Sequence, residues 1–193
     1  LEELIKVFDI KRISKSPAIF DIDKLTWMNG MYLRAMSEEK FYETVKPYIE
    51  EAIKRPVDKM AVARILQPRT DVLSGIVESL DFIDVLPEYD NAMYIHKKMK
   101  TTYEIALKAL KASKEALEAL NDWSSEEKLH DVLLALPAQM EMKNGQILWP
   151  VRCAITGKQF TPGGAIEIAY ILGKEETLAR IQIGIEKLEK EVA

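Results

Sequence analysis

TPGGAIEIAYILGKEETLARIQIGIEKLEKEV, Thr161–Val192, carries two helices end to end. Threonine suits an N-cap and proline the first helical position, so Thr161-Pro162 is expected to open one helix. Gly173 closes it, and Lys174–Val192 forms the last. Similar start and stop signals recur upstream. Ser124 and Glu127 have capping-box spacing ahead of an apolar face of Leu129, Val132, Leu133 and Leu136. A long helix is predicted from Asn91 to about Leu120, its stripe made of Ile95, Met99, Ala106, Leu110, Leu117 and Leu120. LPEYDN, Leu86–Asn91, is the linker ahead of it. Asp71 is expected to cap a helix bearing Val72, Ile76, Leu80 and Ile83. Pro56 starts another, with Met60, Ala63 and Leu66 on one side, which Pro68 ends or kinks. Ser37 starts one with Phe41, Val45, Tyr48 and Ile49. Asp21 or Asp23 caps the first, near Lys24, placing Leu25, Met28, Tyr32 and Ala35 on one face, and Gly30 weakens it. Strand-length alternation is confined to Ile147–Ile155. The fold class that follows is all-α, two small helical subdomains in series.

Bulk properties narrow the function. The 193 residues are 48% apolar and 30% charged, ordinary for a folded soluble chain. A formal net charge of −4 supplies no global field for nucleic acid, so such a partner would need a local surface. No apolar run approaches the ~20 residues of a membrane helix. Glu2, Glu3 and Lys6 interrupt any signal-peptide core. The single cysteine, Cys153, excludes an internal disulfide and fits a reducing cytosol. The chain opens on Leu1 rather than methionine, so it is expected to be part of something longer.

Catalytic constellations are missing. His96 and His130 lack partners at metal-ligand spacing and are expected on helix surfaces. There is no glycine-rich phosphate loop. Glu126-Glu127 and Glu175-Glu176 suit helix N-termini, and adjacent residues point to different helix sides. Cys153 has no paired base and reads as a small buried residue. No catalytic or metal residue is assigned, and the chain alone is expected to be inactive.

MKNGQILWPVRCAITGKQFTPGGAI, Met142–Ile166, stands apart: 25 residues without Asp or Glu, carrying Lys143, Arg152 and Lys158 together with the aromatics Trp149 and Phe160. Such a surface suits single-stranded nucleic acid, where arginine meets base edges and aromatics stack on bases. Thr161–Gly164 would add backbone N–H groups and a hydroxyl at a helix start. The competing reading is a turn-rich connector whose Trp149 packs in the core.

A resemblance bears on that choice. Trp149–Leu188 resembles the C-terminal end of bacterial-type glutamyl-tRNA synthetases, with the pattern P-L/V-R-x-A-L/I-T-G, then S/T-P-G, then L/I-L-G-K/R-E and a final L-x-R-I/L helix. Pro150, Arg152, Ala154, Thr156, Gly157, Thr161, Pro162, Gly163, Leu172, Gly173, Lys174, Glu175, Leu178, Arg180 and Ile181 fit it. FDIKRISKSPAIFDIDKLTWMNGMYLR, Phe8–Arg34, is similar to the family segment that follows the ATP loop, and LNDWSSEEKLHDVLLAL, from Leu120, to a family helix start. By that resemblance RISKS, Arg12–Ser16, is a decoy for the class I K-M-S-K-S loop.

The resemblance implies a helical cage that reads an anticodon. It divides the chain into a stem-contact end, 1–30, and two anticodon-binding helical subdomains, 31–90 and 91–193. Arg152 and Thr161 map onto the family's anticodon-reading positions, with Gly163, Gly164 and Ala165 beside them. The segment after Thr161 is one residue longer than usual. Arg12, Lys15 and Lys24 are expected at the tRNA stem. Glu50 falls where some members carry an arginine that reads the third anticodon base. The implied partner is tRNA(Glu), with tRNA(Gln) as a second if discrimination is relaxed. ATP and Mg²⁺ belong to the longer, monomeric parent enzyme, and no cofactor is expected here. The rival reading is a free-standing all-α protein-interaction module, docking through the Asn91–Leu120 helix.

Overall fold

A computed structural model describes residues 1–13 and 19–192, and among these the chain forms ten α-helices and no strand. The helices are α1 Glu2–Val7, α2 Ile22–Arg34, α3 Glu38–Ala52, α4 Lys59–Leu66, α5 Ile76–Leu80, α6 Tyr103–Ala119, α7 Glu126–Met140, α8 Asn144–Thr156, α9 Ala165–Leu172 and α10 Lys174–Val192. The all-α expectation is met.

The first helices sit lightly on the rest. α1 buries nothing, and α2 buries only Gly30 and Leu33. Asp21 caps α2 as read, accepting from the Lys24 N–H at 3.0 Å. The expected inward face is turned outward: Leu25 is 45% exposed and Tyr32 70%. α2 is instead oriented by polar contacts. Asn29 Nδ2 donates to the Asp71 carbonyl at 2.6 Å, Arg34 pairs with the Asp71 carboxylate at 2.7 Å, and Gln67 Nε2 donates to the carbonyls of Leu33 and Met36. Asp71 therefore does not cap a helix. α5 begins later, at Ile76, after a 3-10 turn over Leu73–Gly75.

α3, α4 and α5 form the first bundle. Ser37 caps α3 by accepting from the Lys40 N–H, and Phe41, Val45 and Ile49 are buried. α4 starts at Lys59 rather than near Pro56, because Asp58 accepts from both the Met60 and Ala61 N–H groups. A carboxylate holding two otherwise unpaired N–H groups outweighs a proline's preset φ.

The stretch before α6 corrects the longest predicted helix. Asn91–Tyr94 is a 3-10 turn, His96 and Thr101 form an isolated antiparallel bridge, and Lys100 takes a positive φ of 57°. Thr101 Oγ1 donates to the Tyr94 carbonyl at 2.7 Å and accepts from the His96 N–H at 3.0 Å. Thr102 caps α6 at the Ile105 N–H. Threonine hydroxyls thus take over backbone groups that a helix needs.

α6, α8 and α10 pack along one another, with α7 and α9 beside them, and Leu110, Leu117, Leu133, Ile147, Val151, Ile155, Ile181 and Leu188 fill the centre. Ile147–Ile155 is helix, not strand, and Pro150 lies inside it. Two further helix starts shift. Ser125, not Ser124, precedes α7 and makes no side-chain cap; α9 begins at Ala165 after Gly164, so Thr161–Gly163 is a turn ahead of it. α8 ends at Gly157, φ +62°, where a Cβ would also lie 2.9 Å from the Pro87 ring. Both demands call for glycine.

Arg180 joins the two bundles. It is 1% exposed and donates to the carbonyls of Phe82, Ile83 and Ile155 at 2.7 to 3.0 Å and to Glu176 at 2.6 Å. Glu176 also pairs with Arg55 at 2.8 Å.

Candidate nucleic-acid interface

The acid-free segment resolves into α8, a turn and the start of α9. Arg152 lies on α8, half-buried, one turn after Trp149. Its guanidinium carbon sits 4.6 Å from the Trp149 ring centroid, and Nη2 donates to the Gln159 carbonyl at 2.9 Å. Burial pulls the Arg152 guanidinium below its ordinary pKa, and the neighbouring charge of Arg69 pushes the same way. Arg152 and Arg69, one from each bundle, both donate to carbonyls of the Gln159–Pro162 stretch, and among the described residues neither is bonded to a carboxylate.

Arg69 is the member that the sequence reading lacks. It follows Pro68 in the turn after α4 and donates from Nη1 to the Pro162 carbonyl, so it supports the Thr161–Gly164 turn from the opposite bundle. An open groove of about 340 Å³ lies between the bundles, with Arg69, Thr70, Ser79, Phe160, Thr161 and Pro162 among its lining residues. Phe160 is 83% exposed. Thr161 Oγ1 donates to the Gly163 carbonyl at 2.7 Å, leaving its oxygen able to accept.

The remaining expected residues lie in varied settings. Gly163 is buried, its Cα hydrogens facing Ile168 and Ile65; Gly164 precedes α9; Ala165 is 4% exposed. These three shape the turn, and any contact they make with a ligand is through backbone. Lys158 is occupied by Asp81 at 2.5 Å and the Glu78 carbonyl at 2.9 Å. Arg12 lies in a short exposed 3-10 turn, and Lys24 in the exposed first turn of α2. Lys15, and with it most of RISKS, falls outside the described residues. Glu50 is at the far end of α3, paired with Lys59 at 3.2 Å.

Trp149 is half-buried rather than a core residue, and its segment is mainly helical rather than a connector. His96 is not on a helix surface: it packs against Trp149 in the turn before α6. His130 is, as expected, exposed on α7. Cys153 is buried, which pushes its thiol up to about 12 and makes it a poor nucleophile.

Residues 40–185 match the family described as anticodon binding domain. The glutamate–tRNA ligase of Clostridium botulinum strain Hall is 54% identical over 188 residues, spanning 97% of this chain and 39% of that protein. That of Clostridium tetani is 50% identical over 192 residues, spanning 100% and 39%. Among solved structures, a glutamate tRNA ligase from Elizabethkingia meningosepticum superposes with a TM-score of 0.78 at 26% identity, covering 97% of this chain and 36% of that one. The chain thus spans about 39% of the length of these curated relatives.

Proposed function

The chain belongs to the anticodon-binding-domain family, in the form carried by glutamate–tRNA ligases, and from that premise we propose that it reads the anticodon loop of tRNA(Glu) for a longer cytoplasmic ligase. One observation carries the reading: Arg152 and Arg69, from opposite bundles, donate to the Gln159 and Pro162 carbonyls at the two ends of the stretch that carries Phe160 and Thr161, beside a groove lined by Arg69, Phe160 and Thr161. Among the described residues Arg152 spends one hydrogen bond, on Gln159, and leaves the rest of its donor fork for a ligand. Anticodon bases are unpaired, so their edges meet arginine and hydroxyl groups directly, and their faces can stack on an exposed aromatic.

The same reading assigns ATP and Mg²⁺ to another part of the ligase. The sequence carries no glycine-rich phosphate loop, and the described residues hold no group of three or more His, Cys, Asp or Glu side chains placed to hold a metal. Arg12, Lys15 and Lys24 are proposed to meet the tRNA stem. Glu50, carrying an acid at the position proposed for the third base, makes tRNA(Gln) the competitor to test.

The rival protein-docking reading loses its main support, since α6 buries Ala106, Ala109, Leu110 and Leu117 against its neighbours. Filter binding of the chain to tRNA(Glu) separates the two. Phosphate contacts predict an affinity that falls steeply with salt. Arg152→Ala is expected to weaken binding by about 1–3 kcal/mol, with altered preference among anticodon bases. An unchanged affinity in that variant would overturn the assignment.

A further inference from the structure

Behind Arg152 lies a tryptophan held by several contacts. Trp149 and Arg152 are spaced i, i+3 on α8, so they share a face. The indole is fixed by the segment ahead of α6: Nε1 donates to the Met93 carbonyl at 3.0 Å, and the His96 ring packs on it with centroids 4.1 Å apart. His96 is itself held, its Nδ1 accepting from the Met99 N–H at 3.2 Å. The turn that replaces the front of the predicted long helix thus forms a seat for one tryptophan. The guanidinium lies over that tryptophan at 4.6 Å and is tied at one edge to the Gln159 carbonyl.

Resting on the anticodon-reading assignment, we infer that Trp149 is a positioning residue for Arg152, and that His96 and Met93 position it in turn. A guanidinium is a planar fork of donors. Stacked on an aromatic face and anchored at one corner, it has a defined plane, and its outer edge meets a base edge in one orientation. Without the stack the same side chain samples many rotamers and keeps its charge but not its aim. The stack therefore governs discrimination between bases more than attraction to phosphate.

The test uses the chain with tRNA(Glu) transcripts carrying the cognate anticodon or single anticodon-base replacements, alongside thermal melting. Trp149→Phe keeps an aromatic face and should hold discrimination within about threefold of the parent chain. Trp149→Leu should lose roughly tenfold in discrimination, a size set by one bidentate base contact. It should add nothing when combined with Arg152→Ala, and its salt slope should stay that of the parent. His96→Ala leaves α8 untouched and should lose part of the same discrimination, so the inference stands or falls on it if Trp149→Leu melts early. Parent-like discrimination in a folded Trp149→Leu, or in His96→Ala, overturns the inference. A parent chain that binds every transcript equally overturns the anticodon-reading assignment instead.

Discussion

Gly30 shows how a single position can look like a defect in sequence and be required in space. Glycine inside a helix costs about 1 kcal/mol relative to alanine. In α2 a Cβ at this position would lie 1.8 Å from Asp71 Oδ1, the same oxygen that Arg34 holds at 2.7 Å. Gly30→Ala is therefore expected to break the Arg34–Asp71 pair and to forgo the usual helix gain of about 1 kcal/mol. Adding Asp71→Ala should recover that gain relative to Asp71→Ala alone. Urea unfolding of the three variants checks it, and a stabilised Gly30→Ala single variant would sink the explanation. Arg152 and Thr161 were nominated by sequence for a different reason: the family resemblance maps them, and both sit in one acid-free run with Trp149 and Phe160. Arg69 was not. An arginine after a helix-ending proline looks like any surface cation until the fold brings it to the Pro162 carbonyl.

Helix identity was largely legible, and helix ends less so. Asp21, one of the two aspartates expected there, and Ser37 cap as read, each directly ahead of its helix and accepting from the N–H three residues on. Asp71 and Ser124 have the right residue type, but Asp71 is drawn to Arg34 and Ser124 to Lys128, in contacts between elements or across a loop. The front of the predicted Asn91–Leu120 helix failed because two threonines claim backbone groups there, a competition that apolar periodicity does not register. α10 shows how one element acquires a pH dependence. Burial would raise the Glu176 carboxyl, but hydrogen bonds from Arg55 and Arg180 outweigh it and hold the group below the usual glutamate range. A depressed folded pKa contributes stability that is fully present above the unfolded value of about 4.3 and is lost as pH falls through the folded one. Glu176→Gln should therefore be less stable than the parent at pH 7, and the gap should close on acidification below about pH 4. Melting temperatures of both chains between pH 7 and 3 measure it, and a gap that stays constant would rule out the linkage.

At the scale of the molecule, Arg180 fixes how the two bundles meet. It reaches Phe82 and Ile83 after α5, Ile155 in α8 and Glu176 in its own helix, all while 1% exposed. Arg180→Leu leaves three buried carbonyls without their donor, and is expected to cost about 3–5 kcal/mol in urea unfolding. A loss below about 1 kcal/mol would mean that the bundles meet without it. The residues that converge on the groove depend on that meeting, since Arg69 and Thr161 belong to different bundles. Packing is uneven along the chain: the core runs from Leu33 to Leu188, whereas Phe8, Ile10, Phe20, Trp27 and Tyr32 are each more than half exposed. The outward turn of α2 was not readable, because periodicity reports that a face is apolar and not what covers it. The sequence by itself determined the all-α class, most of the helices and the chemical character of the Met142–Ile166 stretch. Those follow from caps, spacing and side-chain type, which act over a few residues. Only the tertiary structure decided that α2 faces outward, that the run before α6 is a seat for Trp149, and that Arg69 holds the same Gln159–Pro162 stretch as Arg152. Those follow from contacts between residues far apart in the chain, whose geometry no local pattern encodes.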